Sequence, residues 1–214
     1  MSYPLGENET ARVWQLNNNE YKRVLRTERS VIKGGTTEPI ETNTLYFKQF
    51  GAAANSVYLQ RAERRKGSQL LEQTQYDHYN AYGNPQQVQQ QQRAPTVYLW
   101  GYGGQYPVAR IEHATFAQVQ SALGGGTAAT AALNGLLSPT VTDGFIQSTL
   151  ETVRTQLTAS RVSAFHYRPL VGISGMTGAR GLAEYYHYDG LGRLKLMLDF
   201  QQYVRYRYDY HFKP

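Results

Sequence analysis

A chain of 214 residues is long enough to bury a sizeable core; its 20 glycines and 18 tyrosines favour turns and strands, and its lack of cysteine excludes disulfides and thiolate metal sites. The formal charge of +6 raises the question of nucleic acid, but the densest basic cluster, QRAERRKG at 60–67, sets four basic residues beside one Glu, the pattern of a solvated strand end or loop. No run reaches the roughly 18 apolar residues of a membrane span, and the start MSYPLGENETARVW lacks the basic and apolar regions of a signal peptide, so the chain is expected to be cytoplasmic or a piece of a longer exported polypeptide.

Residues 1–112 read as a β-strand region. The segments RVWQL, EYKRVLRTERSVI, NTLYFKQF and NSVYLQRAERR are candidate strands separated by Asn, Gly and Thr clusters. QLLEQTQYDHY (69–79) continues as a strand into the turn signal NAYGNP, and the glutamine-rich QQVQQQQRA (86–94) reads as a solvated hairpin arm. TVYLWGY and YPVARIE resume the strands.

The period then changes, and 113–158 is predicted to be a helical hairpin inserted between strands. Phe116, Val119 and Leu123 fall at i, i+3 and i+7 before a triple glycine. Ile146, Leu150, Val153 and Leu157 fall at i, i+4, i+7 and i+11, with Thr142 or Asp143 available as the cap. TAATAALNGLLSPTV, between them, reads as a small-residue connector. Residues 159–214 return to strands. Tyr185 to Tyr188, then 193–198, then the strand from Val204 are predicted to form a three-strand meander turning at DGLG and DFQQ. Tyr186, Tyr188, Leu194, Leu196, Leu198, Val204, Tyr206, Tyr208 and Tyr210 are expected to share its apolar face. The outer edge of its last strand is expected to be unpaired, with Arg205, Arg207, Lys213 and Pro214 available to blunt it.

An internal repeat lies across these regions. YDHYNAYGNP (76–85) aligns with YYHYDGLGRL (185–194), so that Tyr76, His78, Tyr79 and Gly83 match Tyr185, His187, Tyr188 and Gly192, while Asn80 stands where Asp189 does. A partial third copy is expected at Tyr208 and Asp209. YHYDGLGRL, in which Arg193 follows the glycine, and YRYD 20 residues later closely resemble the YD repeat of the RHS family. The runs VYLWGYGGQYPVARIEHATFAQVQSAL, FHYRPLVGISGMTGARGLAEYYHYDGLGRL and YRYDYHFKP resemble the terminal region of large RHS-repeat proteins of the Bacteroidetes type, a resemblance covering 76–214 and weakest in the helical insert.

The resemblance implies a mainly β fold: a YD-repeat sheet of hairpins and meanders that forms part of a shell, with the inserted helical hairpin. It implies a non-enzymatic wall segment of a secreted or cell-surface bacterial protein, whose partners are the rest of the RHS polypeptide or an enclosed cargo such as a toxin. The repeat residues Tyr79, Asn80, Gly83, Tyr188, Asp189, Gly192, Arg193, Tyr208 and Asp209 are then structural. Asn80 departs from the repeat's Asp, which speaks against a catalytic carboxylate, and no self-cleaving core segment or toxin sequence follows Tyr208.

Other chemistry is weaker. His78 and His187 occupy equivalent repeat positions, and Asp189, Asp199 and Asp209 recur every ten residues, but packing and turn chemistry explain both patterns better than metal. Ser174 fails the G-x-S-x-G spacing of a nucleophile elbow. No catalytic residue, cofactor or metal is expected, and neither nucleic acid nor a membrane span. The aromatic cluster Tyr98, Trp100, Tyr102 and Tyr106 supplies the alternative function, a carbohydrate-binding surface on which these rings stack against a cell-surface glycan.

Overall fold

The computed structural model describes residues 25–50 and 57–211, which form two compact units, Met1–Pro95 and Thr96–Pro214. The candidate strand RVWQL, the start of EYKRVLRTERSVI, and Lys213 and Pro214 lie outside the described residues. What is described is mainly β, with three short helices.

The first unit is an antiparallel meander of β1 (Arg26–Lys33), β2 (Thr36–Gln49), β3 (Val57–Lys66), β4 (Gln69–Tyr79) and β5 (Pro85–Gln90), each pairing with the next. Gly34 and Gly35 both take positive φ, the conformation of a two-residue hairpin loop, so β2 begins directly after them and not at Asn43 as the sequence suggests. Pro39 is accommodated because a bulge interrupts the β1–β2 register beside it. No helix covers this sheet among the described residues. Among the described residues its buried apolar side chains are Leu25 and Val57, whereas Thr44, Glu63, Asn80, Gln86 and Gln87 are buried and polar.

Two expectations change here. The basic cluster forms the end of β3, and three of its four cations are paired where a solvated cluster was expected: Arg61 and Arg65 flank Glu63 at 3.0 and 3.1 Å, and Arg64 meets Glu72 at 2.9 Å. The glutamine tract is not uniformly solvated, since Gln86 and Gln87 are buried and Gln87 donates its side-chain amide to Asp77 at 2.8 Å.

The second unit is the meander β6 (Thr96–Gly101), β7 (Tyr106–Glu112), β8 (Arg161–Arg168), β9 (Gly172–Thr177), β10 (Ala183–Tyr188), β11 (Leu194–Leu198) and β12 (Val204–Arg207). Between β7 and β8 stand α1 (Phe116–Ala122), α2 (Gly126–Leu136) and α3 (Asp143–Gln156). The predicted connector is thus a helix in its own right. Gly124 and Gly125, both at positive φ, end α1, and the alanine-rich run that follows has high helix propensity without an apolar stripe long enough to announce itself.

A capping box joins Thr115 and Gln118 at the start of α1, and the Thr142 hydroxyl accepts from the Phe145 N–H at the start of α3. The helices close over one face of β6–β8. Val97, Leu99, Ile111 and Val162 from the strands meet Phe116, Val119, Leu136, Ile146, Leu150 and Val153 from the helices, with Leu123 and Leu157 at the margin. Each such side chain contributes about 1.5–3 kcal/mol through burial.

The final meander forms in the predicted order, but its apolar face is divided. Bulges interrupt the register after His187 and between Met197 and Leu198. Tyr186 therefore shares a face with Met197 and Tyr206, while Tyr185 shares the other with Leu198 and Val204; each bulge flips the alternation that a regular strand would keep. Val204, Tyr206, Tyr208 and Tyr210 are all exposed. Among the described residues β12 pairs on one side only. Its arginines are engaged, Arg205 with Glu184 at 2.7 Å and Arg207 with Asp209 at 3.2 Å.

Candidate functional site: a repeated Tyr-Asx hairpin turn

The two aligned repeats fold identically at the backbone. The Asn80 N–H donates to the Asn84 carbonyl and the Gly83 N–H to the Asn80 carbonyl, both at 3.0 Å, with Gly83 at φ +78°. The Asp189 N–H donates to the Arg193 carbonyl at 2.8 Å and the Gly192 N–H to the Asp189 carbonyl at 3.0 Å, with Gly192 at φ +74°. This is a three-residue hairpin loop, a turn followed by a left-handed residue that needs glycine for want of a Cβ.

The Asx side chain locks the loop from within. Asn80 Oδ1 accepts the N–H groups of Tyr82 and Asn84 at 2.9 and 3.0 Å, and Asp189 Oδ1 accepts those of Leu191 and Arg193 at the same two distances. The tyrosine before it anchors the loop to the preceding strand. Tyr79 donates its hydroxyl to the Leu59 carbonyl at 2.6 Å, and Tyr188 to the Ile173 carbonyl at 2.8 Å. Burial, and then the neighbouring Tyr76 and Tyr58 phenols, push the Tyr79 phenol far above its ordinary value. Its ring stacks on Tyr58 at 4.7 Å, and Tyr58 in turn lies over Gly83, where an added Cβ would come within 2.9 Å of the Tyr58 ring.

A turn at Tyr208 and Asp209 would take in residues 212 and 213, which lie outside the described residues. Asp209 lies in no such turn among the described residues and pairs with Arg207. The third turn is at Asp199, ten residues after Asp189: Oδ1 accepts the Gln201 and Tyr203 N–H groups at 2.9 Å each, and the Asp199 N–H donates to the Tyr203 carbonyl at 3.0 Å. Gln202, at φ +65°, occupies the glycine position, and Leu198 the tyrosine position. The missing glycine and tyrosine hid this copy in the sequence. Gln202→Gly is expected to stabilise the chain by about 1 kcal/mol by relieving the left-handed side chain, a gain readable as a shift in the urea midpoint.

The copies differ in one respect that bears on chemistry. Asp189 Oδ2 receives both Arg193 Nε at 2.8 Å and Nη2 at 2.7 Å, a charge-assisted pair on a single oxygen. The matching position in the first copy is Asn84, and Asn80 Nδ2 is buried without a partner. The Asp189 carboxyl is held below the usual carboxylate range chiefly by the Arg193 N–H, opposed by partial desolvation and aided by the Arg193 guanidinium and the Leu191 N–H. A carboxyl with a lowered folded pKa adds stability that is present above its ordinary value and is lost as pH falls through the lowered one. Asp189→Asn keeps the Oδ1 acceptor, so the chain should still fold while its stability becomes less sensitive to acid, as acid unfolding followed by circular dichroism would show.

The four rings of the aromatic cluster do not form one platform. Tyr98 and Trp100 are half-buried on β6, whose alternate residues Val97 and Leu99 enter the core. Tyr102 turns inward, 6% exposed, with its ring edge-on to Tyr106 and Tyr167 at 5.8 and 5.9 Å. Its hydroxyl donates to Asp143 Oδ1 at 3.3 Å and accepts the Tyr167 N–H at 3.1 Å, while the Tyr106 hydroxyl accepts the Leu170 N–H. Burial pushes the Tyr102 phenol up.

Asp143, at the start of α3, also faces His166 Nδ1 at 3.3 Å, a meeting of three residues that sequence reasoning missed because they lie far apart along the chain. His78 and His187 stand opposite Gln87 and Leu196 in their strands. Among the described residues no group of three His, Asp or Glu side chains could hold a metal ion. No helix among them is long and apolar enough to cross a membrane. No family model matches the chain, and no curated protein matches it.

Proposed function

We propose that this chain is a non-enzymatic wall segment of an RHS-type YD-repeat β-shell in a secreted or cell-surface bacterial protein, in contact with the rest of that polypeptide or its cargo. The observation that carries the reading is the recurrence of one hairpin turn at Asn80, Asp189 and Asp199, with the same pattern of main-chain and side-chain hydrogen bonds. In every copy Oδ1 is spent on two backbone N–H groups, and in one it belongs to an amide, so the repeat serves architecture. Among the described residues β1–β5 form a sheet with no helix against it and only two buried apolar side chains, Leu25 and Val57, a scant core for independent stability that fits a place in a larger wall.

Hydrogen exchange tests this reading by comparing the purified chain with the same residues inside the polypeptide isolated from its cell. The proposal expects the β1–β5 amides to exchange quickly in the first and slowly in the second. Equally fast exchange in both would count against a wall.

A further inference from the structure

The helix layer stops at β8, and where α3 leaves β9 and β10 uncovered a groove of about 360 Å3 opens, a volume within the range of small-ligand sites. We infer that this groove is a binding site for a neutral saccharide, a function additional to the scaffold reading and independent of it. The floor is made of small residues: Ala164, Gly175 and Ala183 contribute little side chain. At its edge stands Tyr185, 39% exposed and paired across the strands with Gly175, so one ring stands beside bare backbone. A sugar presents an apolar C–H face to such a ring and hydroxyls to everything else.

The walls supply both donors and acceptors. Glu151, Arg154 and Gln147 come from α3, His166 from β8 and Thr177 from β9, whereas Glu184 of β10 turns its carboxylate to the other face, toward Tyr186 and Arg205. The charge on these walls is matched in advance: Arg154 holds Glu151 at 2.6 Å and the Val162 carbonyl at 3.2 Å. One carboxylate balanced by one guanidinium leaves no surplus cation for an anionic ligand. Ion pairs of this kind still offer unused lone pairs and N–H groups, which hydroxyls can meet because each both donates and accepts. The chemistry therefore selects an uncharged polyhydroxyl ligand with one flat apolar side.

The test titrates cellobiose, maltose and chitobiose in turn into the full 214-residue chain and follows backbone amide shifts. At least one should perturb residues of α3, β9 and β10 around Tyr185, and Tyr185→Ala should weaken that binding about tenfold. Gly175→Val should abolish it. A Cβ at Gly175 meets its neighbours no closer than 3.6 Å, so the fold tolerates a side chain there while the rest of the valine fills the floor. Should that variant fail to fold, the surface change at Tyr185 still decides. Tyr203→Ala, at a ring 67% exposed in the turn after β11, should bind like the parent. No shift with any of the three sugars, shifts centred on Tyr98 and Trp100, preference for inorganic phosphate or sialyllactose, or equal loss in Tyr203→Ala would each overturn the inference.

Discussion

Leu150→Ala should lower the unfolding free energy of the chain by about 2–5 kcal/mol, the largest effect expected of any single truncation discussed here. Leu150 sits in the middle of α3, fully buried between Ile146 and Val153 on one side and the strands carrying Leu99, Ile111 and Val162 on the other. Three carbons leave, Cγ and its two methyls, and helices capped at Thr115 and Thr142 are held too firmly to collapse into the space. Urea denaturation followed by tryptophan fluorescence reads the change. Leu170→Ala, at a side chain 95% exposed, is the matched control and should move the midpoint hardly at all. A Leu150 variant as stable as the parent would mean that α3 does not pack on β8 as described.

Asn80→Ala should cost about 1–3 kcal/mol, because two loop N–H groups lose their acceptor at a residue only 8% exposed. The amides of Tyr82 and Asn84 should then exchange faster with solvent while those of β6–β8 stay protected. Asn80→Asp keeps Oδ1 but places a second carboxylate oxygen where Nδ2 already lacks a partner, so it too should destabilise. Adding Asn84→Arg imports the ion pair found at Asp189 and Arg193 and should restore most of the loss. If the double variant were no better than Asn80→Asp alone, the two turns would not be interchangeable units.

Much of this was legible in the sequence, because period alone separates strands from helices. Val97 and Leu99 alternate into the core as the pattern requires, and Ile146, Leu150 and Val153 trace the buried stripe of α3. Legibility failed where structure depends on something other than period. The second helix, Gly126–Leu136, is built largely from alanine and other small residues, whose propensity carries no stripe. Bulges after His187 and Met197 split a face that strict alternation would have kept whole, and nothing in the side chains there announces them. The turn at DFQQ was legible as a turn, but its kinship with the other two was hidden because Gln202 stands where glycine serves elsewhere.

The candidate sites follow the same logic. Tyr79, Asn80 and Gly83, like Tyr188, Asp189 and Gly192, could be paired from the sequence because the turn is local and each residue acts on neighbours within four positions or on the adjacent strand. Tyr98, Trp100, Tyr102 and Tyr106 are equally close in sequence, yet Tyr98 and Trp100 keep the alternation of β6 away from the core while the left-handed Tyr102 turns inward, edge-on to Tyr106. Conversely, Glu151, His166 and Tyr185 are brought to one groove by the crossing of α3 over β8, which no local pattern encodes.

The central claim is that this chain forms part of a β-shell wall, and electron cryomicroscopy of the polypeptide isolated from its cell tests it most directly. The account predicts a hollow particle walled by continuous antiparallel sheet, with β1–β12 of this chain among the wall strands and further Tyr-Asx turns along its rim. A free 214-residue protein, or a larger polypeptide in which these strands enclose nothing and meet no further sheet, would contradict it.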